Sequence, residues 1–468
     1  MALQFIESQK GNKMLVYNGY IHKKERAIGE KIIWKCANYN KCKCPGRVHT
    51  VQNKVLKSTV HNHVVDAATL ESKNAVNSLK QMAKEVGTTT QAIVATISQQ
   101  VPEAAASQLP SVSCMKRTIQ RVRQKQEVVP ANPTNLTDLR IPVEFTQNSV
   151  GEPFLLFDSG PGEQRILLFS TQKNLELMEK CDHWYADGTF TCAPRLFSQL
   201  YTIHGVQYSN VIPTVYALLP SKTEQIYIRL FQELKRLKPG LRPRTIMIDF
   251  ERSAINAIQK EFPDVGIRGC FFHFTQCIWK HIQSSGLQVR YSQNSDFALQ
   301  LRKLAALSFV PSDNVVAAFE ELLDSAFYRE HEEVLLPVIN YFEDTWIGRC
   351  DRRGHRRPPL FAISLWNCFR LVDEDIPRTN NSVEGWHNSF SSVLGAAHPS
   401  IWKFINALKK EESLNHLKVE QLIAGYHAPS KRVYKDTARR IKQIVSEYEN
   451  RPILEYLRGI AYNFQLQI

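Results

Sequence analysis

Residues 245–251, Thr-Ile-Met-Ile-Asp-Phe-Glu, indicate the fold most directly. The apolar and β-branched residues predict a buried strand, and a carboxylate, Asp249, stands at its C-terminal end. A second segment, Tyr185-Ala-Asp187-Gly-Thr-Phe190, closes another predicted strand with a carboxylate of its own. If the two strands are neighbours in one sheet, both carboxylates lie at the same edge. Close like charges are unfavourable unless they share a cation, so the pair predicts a site for a divalent metal such as Mg²⁺ or Mn²⁺.

Outward from these segments, strands alternate with helices. We predict strands at 183–186, 199–207, 211–219, 244–248 and 266–272, and helices at 223–237 and 252–262. Three strands, helix, strand, helix and strand is the order with which RNase H-like folds begin. The pattern is helical from 273 to 345, and helices resume after a basic, proline-containing loop at 349–359.

The positive charge of the chain is concentrated in its first quarter. Residues 1–130 hold 20 Lys and Arg against 8 Asp and Glu, whereas residues 131–468 hold 39 against 37. This asymmetry predicts that the N-terminal part meets a polyanion, with a solvated basic face or an acidic membrane surface as alternatives.

The same N-terminal part gathers residue types that bind metals. Cys36 and Cys44 precede His61-Asn-His63, and strands are predicted at 13–20, 30–35 and 55–65. In a strand, residues i and i+2 share a face, so the two histidines can reach one ion. Two thiolates and two imidazoles suit tetrahedral Zn²⁺, and a module of about 65 residues has little core of its own. Cys42 is an alternative second thiolate.

This module resembles a FLYWCH zinc finger over its whole length. The matching positions are Phe5, Gly11, Leu15, Gly19-Tyr20, Trp34-Lys-Cys36, Cys44-Pro-Gly-Arg47-Val48 and His61-x-His63. In that pattern the second Cys precedes a small-residue-plus-Arg step, which favours Cys44 over Cys42. The resemblance implies structural Zn²⁺ on Cys36, Cys44, His61 and His63, and a module that binds DNA or protein.

A third carboxylate stands at a predicted helix start. In Arg378-Thr-Asn-Asn-Ser-Val-Glu384-Gly-Trp-His-Asn388, Thr or Asn can cap a helix with Glu384 in its first turn. Taken singly, the three acids have ordinary explanations. Asp187 can belong to an Asp-Gly turn between strands, and Glu384 can simply complement a helix dipole.

Together these segments resemble the catalytic domain of Mutator-like element (MULE) transposases, in the RNase H-like integrase superfamily. The matching segments are Asp187-Gly-Thr-Phe190, Asp249-Phe-Glu251, Arg268-Gly-Cys270-Phe-Phe-His273-Phe and Arg378-Thr-Asn-Asn-x-x-Glu384-Gly-x-His387-Asn388. The resemblance implies that Asp187, Asp249 and Glu384 form a DDE triad holding Mg²⁺ or Mn²⁺. It gives Cys270 and His273 a supporting role. Cys277 and His281 follow His273 at helical spacing, so a second zinc site and plain core packing both stay open for this group.

Two basic segments are predicted to contact DNA. Thr88–Thr90 offers an N-cap for a helix at 91–100, and Ser113 caps a following helix that carries Lys116, Arg117, Arg121 and Arg123. Arg352 and Arg353 lie in the 349–359 loop and are expected to track phosphates, with a solvated loop as the alternative.

The sequence therefore predicts a multidomain α+β protein of five parts. They are a small β-rich FLYWCH-type zinc finger at 1–66, a basic helical DNA-binding region at 67–130, a linker at 131–149, an α/β RNase H-like catalytic core at 150–400 with an all-α insertion at about 285–375, and C-terminal helices at 401–468. No run of 18 apolar residues and no secretory-signal layout occurs, so we expect neither a membrane span nor export.

The expected function is that of a DNA transposase. It binds transposon ends, cleaves and transfers strands by the DDE mechanism, works in the nucleus, and assembles as a homo-oligomer on double-stranded DNA. The first alternative is a domesticated zinc-finger DNA-binding protein or transcriptional regulator without cleavage activity. The second is an RNase H-like nuclease that hydrolyses strands without joining them.

Overall fold

The structure, a computed structural model, describes residues 3–8, 12–84, 88–126, 130–208, 210–374, 376–426 and 432–466. The chain divides into two compact units, residues 1–130 and residues 131–468. None of the described helices is both long and apolar enough to cross a membrane.

The first unit begins with an antiparallel sheet in which each strand pairs with the next along the chain. The strands are β1 (Gln4–Glu7), β2 (Lys13–Tyr17), β3 (Tyr20–Ile28), β4 (Lys31–Cys36), β5 (Arg47–Val51) and β6 (Lys54–Ser58), with a single helical turn, α1 (Tyr39–Cys42), between β4 and β5. Alternation along β2 separates two small apolar clusters, because Leu15 packs with Trp34 while Met14 and Val16 pack with Ile6. Neither cluster is large enough to be a secure core by itself.

The predicted strand at 55–65 is wrong in its second half. β6 ends at Ser58, and the described chain from 59 to 66 forms no strand. The ladder ends where the Thr59 N–H donates to the Arg47 carbonyl, after which the chain turns across the sheet end. His61 and His63 therefore do not owe their proximity to strand periodicity.

Helices complete the first unit. They are α2 (Ala67–Met82), α3 (Thr90–Gln100), α4 (Glu103–Ala106) and α5 (Val112–Gln126). Leu79, Ile93 and Ile119 are fully buried between them. Thr89 caps α3 by accepting a hydrogen bond from the Ala92 N–H, as the sequence predicts. The cap predicted at Ser113 is wrong, because α5 begins one residue earlier and the Ser111 hydroxyl accepts from the Cys114 N–H.

A mixed sheet forms the centre of the second unit. Its strands are β7 (Leu155–Asp158), β8 (Leu167–Phe169), β9 (His183–Thr189), β10 (Gln199–Gln207), β11 (Asn210–Leu219), β12 (Thr245–Ile248) and β13 (Gly266–Gly269). Their order is β13-β12-β9-β10-β11-β8-β7, with β12 and β13 parallel to β9 and the other pairs antiparallel. β12 thus lies directly beside β9, the arrangement on which the predicted carboxylate pair depends.

Helices surround this sheet and make up the rest of the unit. They are α6 (Gln172–Glu179), α7 (Glu224–Leu237), α8 (Arg252–Glu261), α9 (Phe271–Ser284), α10 (Gln288–Gln293), α11 (Ser295–Ala306), α12 (Val315–Leu323), α13 (Ala326–Glu330), α14 (Glu332–Phe342), α15 (Ile363–Trp366), α16 (Phe369–Asp373), α17 (Asn381–Leu394), α18 (Ile401–Ile423), α19 (Arg432–Ser446) and α20 (Ile453–Ala461). Short 3-10 turns lie at Val143–Phe145, Leu307–Phe309, Ser312–Asn314 and Tyr448–Asn450, and a π-helical turn at Glu343–Ile347.

Two predicted element ends near the carboxylates need correction. β9 continues through Asp187, which pairs with Thr202 of β10, so Asp187 belongs to a strand and not to a turn. β13 stops at Gly269, before the predicted end at Phe272, and Cys270 is the N-cap residue of α9. The Phe271 N–H donates to the Arg378 carbonyl, which lies outside the sheet, and this contact ends the ladder.

An aromatic cluster holds α9 against the helices that follow it. The Phe274 ring stacks on Trp366 with 5.0 Å between centroids and meets Trp346 edge-on at 4.8 Å. Phe250, which follows Asp249, also meets Trp346 edge-on at 4.8 Å. Phe274, Trp346 and Trp366 are fully buried. The cluster therefore fixes both the β12 end and the helix that carries His273.

We expect Phe274→Ala to lower the free energy of unfolding by about 3–5 kcal/mol, because the site cannot collapse around the lost ring. Tyr462→Ala is the control, since the Tyr462 side chain is 64% exposed. Denaturant unfolding of both full-length variants measures the difference, and equal unfolding midpoints would contradict this account of the cluster.

Candidate functional site

Four predicted zinc ligands come together in the first unit. One ligand atom from each of Cys36, Cys44, His61 and His63 lies within 4.8 Å of the others. The Cys36 Sγ is 3.3 Å from the His63 Nε2, and the Cys44 Sγ is 3.3 Å from the His61 Nδ1. Among the residues that the structure describes, this is the only group of three or more such side chains close enough to share one ion.

The local chain path explains how these four residues meet. Cys36 is the last residue of β4, and α1 then reverses the chain at Lys43, whose φ of 52° is left-handed. Cys44 follows and is fully buried. Backbone N–H groups of Asn38 and Gly46 point at the two sulfurs, each at 3.4 Å. Such donors stabilise thiolates, which are the form that binds Zn²⁺.

The His61 ring is fixed from both faces. It stacks on Tyr20 with 3.7 Å between ring centroids and an interplanar angle of 4°. On the other side Gly46 leaves the necessary space, because a Cβ there would lie 2.4 Å from the His61 Cε1. The ring orientation is thus imposed by packing before any metal binds.

The protonation chemistry of the cluster fits a zinc site. Burial raises the pKa of the Cys36 thiol to about 11, and the neighbouring Cys44 thiol adds to the effect. Burial also lowers the pKa of His61, helped by the nearby His63, so its imidazole stays neutral as a ligand must. The Cys36 thiol, which is buried beside a second thiol, therefore gains from a cation between the two sulfurs.

His22 is a member of this site that the sequence reasoning missed. It is fully buried on β3, and its Nε2 lies 3.2 Å from the Nε2 of His61. Burial, followed by the influence of His61, lowers its pKa to about 4, so it is neutral and can accept the His61 proton. This bond leaves the His61 Nδ1 free to face the ion, as outer partners of metal-bound histidines do.

Cys42, the alternative thiolate, lies outside the cluster. Its side chain is exposed on α1, and its Sγ contacts the Asn38 carbonyl at 3.3 Å.

In the second unit, the sheet places two of the three predicted catalytic acids side by side. Met247 of β12 pairs with Tyr185 of β9 in parallel register, and Asp249 and Asp187 each follow two residues later. Because successive side chains alternate between faces, both carboxylates leave the sheet on the same face. Asp187 is only 7% exposed.

Glu384 reaches the same region from α17. Asn380 is the N-cap residue of that helix, and Glu384 lies in its first turn, as predicted. The Asn380 Oδ1 accepts a hydrogen bond from the Cys270 Sγ at 2.9 Å, and the Asn380 N–H donates to the same sulfur. Cys270 therefore ties the start of the Glu384 helix to the end of β13, which gives its predicted supporting role a physical form.

His273 lies between two of the acids. Its Nδ1 is 2.7 Å from the Asp249 Oδ1, and its Nε2 is 3.5 Å from the Glu384 Oε1. Burial would lower the pKa of His273, but Asp249 and Cys270 outweigh it and raise the pKa to about 11. The contact between His273 and Asp249 is an ion pair whose angles do not suit a hydrogen bond. Neither the His273 Nδ1 nor the Asp249 Oδ1 has another hydrogen-bond partner among the described residues.

The three carboxylates influence one another as a cluster does. Burial raises the pKa of Asp249, and the charge of Asp187 adds to it although His273 opposes it. Burial likewise raises the pKa of Glu384, again with Asp187 and Asp249 contributing and His273 opposing. Carboxylate oxygens are the ligand type that Mg²⁺ and Mn²⁺ prefer, but among the described residues these three acids do not form a group close enough to share one ion. The His273 ring now occupies the space between two of them.

A chain of polar contacts holds Asp187. The His387 Nδ1 lies 3.5 Å from the Asp187 Oδ2, and its Nε2 lies 3.0 Å from the Thr202 hydroxyl. The same hydroxyl is 3.0 Å from the Nε2 of His204, a fully buried histidine whose pKa is held well below its usual value by burial. His387 and Glu384 both lie in α17. This one helix therefore carries one of the acids and contacts a second, Asp187.

Glu251, two residues after Asp249, has other partners. Its Oε1 accepts from the Tyr227 hydroxyl at 2.8 Å, and its Oε2 accepts from the Lys222 ammonium at 3.1 Å. It is therefore committed to α7 and its preceding loop.

The possible zinc group on α9 does not assemble among the described side chains. The His281 Nε2 lies 3.1 Å from the Pro337 carbonyl, and its ring stacks on Tyr341. The Cys270 Sγ contacts Asn380, and the His273 Nδ1 contacts Asp249. The Cys277 side chain packs against the hydrophobic core of the second unit.

Some of the basic side chains predicted to contact DNA are exposed, whereas one of them already forms hydrogen bonds within the first unit. Arg117 and Arg121 on α5 are exposed and Lys116 is half-buried, while Arg352 and Arg353 project from the 349–359 loop. Arg123 instead donates to the backbone carbonyls of Ala83 and Thr88 and to the Thr90 hydroxyl. Its guanidinium connects α5 to the segment between α2 and α3, so these donors are not available for a DNA phosphate.

Comparison with known proteins supports both sequence resemblances. The family model of the FLYWCH zinc finger domain matches residues 5–63, and that of the MULE transposase domain matches residues 183–277. The resemblances stated from the sequence are thereby confirmed. The second match contains Asp187, Asp249, Cys270 and His273 and ends before Glu384.

Two curated relatives each match a short part of this chain. FLYWCH-type zinc finger-containing protein 1 of Mus musculus is 31% identical over 71 residues, which are 15% of this chain and 10% of the relative. The Homo sapiens protein of the same name is 32% identical over 89 residues, 18% of this chain and 12% of the relative. The chain thus spans about a tenth of the length of these relatives.

Among solved structures, the Drosophila P element transposase strand transfer complex matches with a TM-score of 0.29 and 12% identity. The match covers 73% of this chain and 91% of that one.

We expect Cys44→Ser to abolish zinc binding and to unfold the finger, since metal binding and folding are coupled in so small a module. Cys42→Ser is the matched control and should keep the metal. Metal analysis of the purified full chains measures one zinc per wild-type and Cys42→Ser molecule. A full equivalent of zinc in Cys44→Ser would refute the ligand assignment.

We expect His22→Ala to weaken zinc binding roughly 10- to 100-fold, because His61 loses the partner that orients it. His22→Gln offers an amide oxygen as acceptor and should retain more affinity than His22→Ala. His49→Ala, a histidine on β5 outside the cluster, is the control. Competition with a chromophoric chelator measures the zinc affinities, and equal values for His22→Ala and His49→Ala would rule out this role.

Proposed function

We propose that this chain is a DNA transposase of the MULE class. In this proposal it binds transposon ends through its first unit and cleaves and transfers DNA strands at a DDE site in its second unit. It acts in the nucleus and assembles as a homo-oligomer on double-stranded DNA that includes both ends and target. The finger carries structural Zn²⁺, and the carboxylates use Mg²⁺ or Mn²⁺.

The observation that carries this proposal is the convergence of three carboxylates from three separate elements. Asp187 comes from β9, Asp249 from the end of β12 and Glu384 from α17. The strand order β11-β10-β9-β12-β13, with three antiparallel strands and two parallel ones, supports an RNase H-like core. The MULE domain match over residues 183–277 contains two of the three acids.

The residues of this site suit phosphoryl transfer. Asp187, Asp249 and Glu384 would hold divalent ions, which would supply activation of the attacking water or 3′-hydroxyl and stabilisation of the leaving oxygen. The protein holds the carboxylates in place through His387 on Asp187 and through the Cys270–Asn380 link to α17. The His273 imidazolium balances their charge, so the cluster can stay folded while its carboxylates lie close together.

A second candidate function has its own observation. Among the described residues the three acids do not form a group close enough to share one ion, and the His273 ring lies between Asp249 and Glu384. A stable arrangement of this kind would suit a domesticated protein that binds DNA and regulates transcription without cleaving it. Cleavage activity separates the two candidates.

Glu384→Gln is expected to abolish Mg²⁺-dependent strand cleavage while DNA binding stays nearly intact. A neutral amide keeps the shape of the side chain but is a much poorer ligand for Mg²⁺ than a carboxylate. The variant should fold, because removing one charge relieves repulsion within the cluster. Nicking of a labelled terminal-repeat duplex by each purified full-length variant measures the effect.

Glu251→Gln is the matched control for that experiment. Glu251 is also a glutamate near Asp249, but Tyr227 and Lys222 hold it, so its loss should cost far less cleavage. Undiminished nicking by Glu384→Gln would remove this residue from the site. A wild-type protein that binds the duplex in Mg²⁺ but never nicks it would favour the regulator.

A further inference from the structure

A basic groove runs through the first unit between its sheet and α2. It has a volume of about 810 Å³. β1, β2 and β3 form one wall, α2 forms the other, and the charged residues that line it are Lys13, Lys23, Lys24, Lys73, Lys80 and Glu7. We call it the lysine groove. Five cations thus face one carboxylate, although the strands and the helix that supply them are far apart in sequence.

Four of these lysines lack a counter-ion among the described residues, and one of them, Lys13, instead has its ammonium 3.9 Å from the centroid of the Phe5 ring. Lys80 is satisfied, since its ammonium lies 3.8 Å from Glu7 and donates to the Ser8 carbonyl. Lys23, Lys24 and Lys73 form no ion pair with any residue in the described part of the unit, and Lys23 and Lys24 are exposed. The one acid of the groove is therefore already used, and the remaining positive charge is uncompensated.

Lys73 lies in an environment that is unfavourable for a charged ammonium. Its side chain is half-buried on α2, and burial lowers its pKa, with Lys23 across the groove acting in the same direction and Asp66 opposing. A half-buried ammonium that faces another ammonium destabilises the fold unless an anion joins them. The groove thus has a built-in preference for a negatively charged partner.

The lysines extend over a longer surface than the binding of a single anion would need. Lys13 and Lys24 also line a neighbouring cavity of about 300 Å³, next to Phe5 and Trp34. The lysines of β2, β3 and α2 thus form one positive surface, and Lys13 and Lys24 extend it to the cavity beside Phe5 and Trp34. A polymer with regularly spaced phosphates fits such a strip better than an isolated ion, because several lysines can each meet a phosphate.

We infer that the lysine groove binds the phosphodiester backbone of a DNA duplex, with Lys23, Lys24 and Lys73 contacting phosphate oxygens. The inference rests on the proposed function, which has the first unit bind DNA, and it names the surface that does so. This surface differs from the basic residues of α5 and of the 349–359 loop. Because the contacts are to phosphates, they contribute affinity and orientation and not base recognition.

The test compares two double variants of the full-length chain. Lys23→Gln/Lys73→Gln removes two charges from the groove, and Lys54→Gln/Lys57→Gln removes two exposed charges from β6, at the opposite edge of the sheet. Both variants change the net charge equally. Fluorescence anisotropy with a labelled duplex at several NaCl concentrations gives the affinity and its salt dependence.

We expect the groove variant to bind more weakly and to lose about 2 from the slope of log affinity against log salt, one for each phosphate contact. The β6 variant should keep the wild-type slope. One equivalent of bound zinc in each protein verifies that the finger is folded. If the groove variant loses its zinc, Lys23→Gln/Lys24→Gln, which alters exposed side chains only, takes its place with the same expectation.

Four results would overturn the inference, and they separate it from the proposed function. Equal slopes for the groove variant and the wild type would exclude the groove and leave the transposase proposal standing. Equal losses in both double variants would mean that net charge alone matters, with the same consequence. A wild-type chain that binds no duplex would refute the groove together with the DNA-binding part of the proposed function. Inorganic phosphate that displaces the duplex at an equal concentration of phosphate groups would indicate a small-anion site instead.

Discussion

The parallel pairing of β12 with β9 is the interaction on which the carboxylate site depends. It is made by buried residues such as Met247 and Tyr185, and it carries Asp249 to a position beside Asp187. A shift of one residue in this register would turn Asp249 to the opposite face of the sheet. The aromatic cluster around Phe274 and the Cys270–Asn380 bond then bring α9 and α17 to the same edge. The geometry of the three acids is thus a property of the whole second unit.

The first unit depends on a different constraint. Its sheet has thin apolar clusters on its two faces, and the segment after β6 has no ladder to hold it. The Cys36, Cys44, His61 and His63 group fastens that segment to the end of β4. Since α2 begins directly afterwards, at Ala67, the same fastening sets where one wall of the lysine groove starts. The metal site and the lysine groove therefore depend on the same segment of the chain, residues 59–66.

Much of this architecture follows from patterns that a single sequence displays. The apolar run Thr245–Ile248 is typical of a buried strand inside a sheet. The position of Asp249 at the end of that strand was therefore predictable. The place of Glu384 in a first helical turn was predictable from residue type and spacing. Residue type and spacing also indicated the finger ligands Cys36, His61 and His63, but the choice of Cys44 over Cys42 needed the family resemblance. In each case the information is local.

What the sequence could not reveal depends on contacts between distant segments. His22 looks like any polar residue in a strand, and only its meeting with His61, 39 residues away, gives it a role. Arg123 looks like the other basic residues of α5 until its guanidinium is seen to hold the Ala83 and Thr88 carbonyls. The sequence predicts a strand through residue 272 because the contact that stops β13, between the Phe271 N–H and the Arg378 carbonyl, joins segments about a hundred residues apart. The groove lysines come from two strands and a helix, and no short window of the sequence contains them together.

Gly46 illustrates how far such constraints extend beyond the residues that do chemistry. It offers no donor to a metal and lies at no left-handed backbone position, yet the His61 ring fills the space that any side chain would need. A saturation scan of the finger should therefore find position 46 as intolerant as the ligands themselves, with even alanine rejected. The smallest residue in the module is kept small by the ring beside it, and a scan ranked by tolerance would place it among the functional positions.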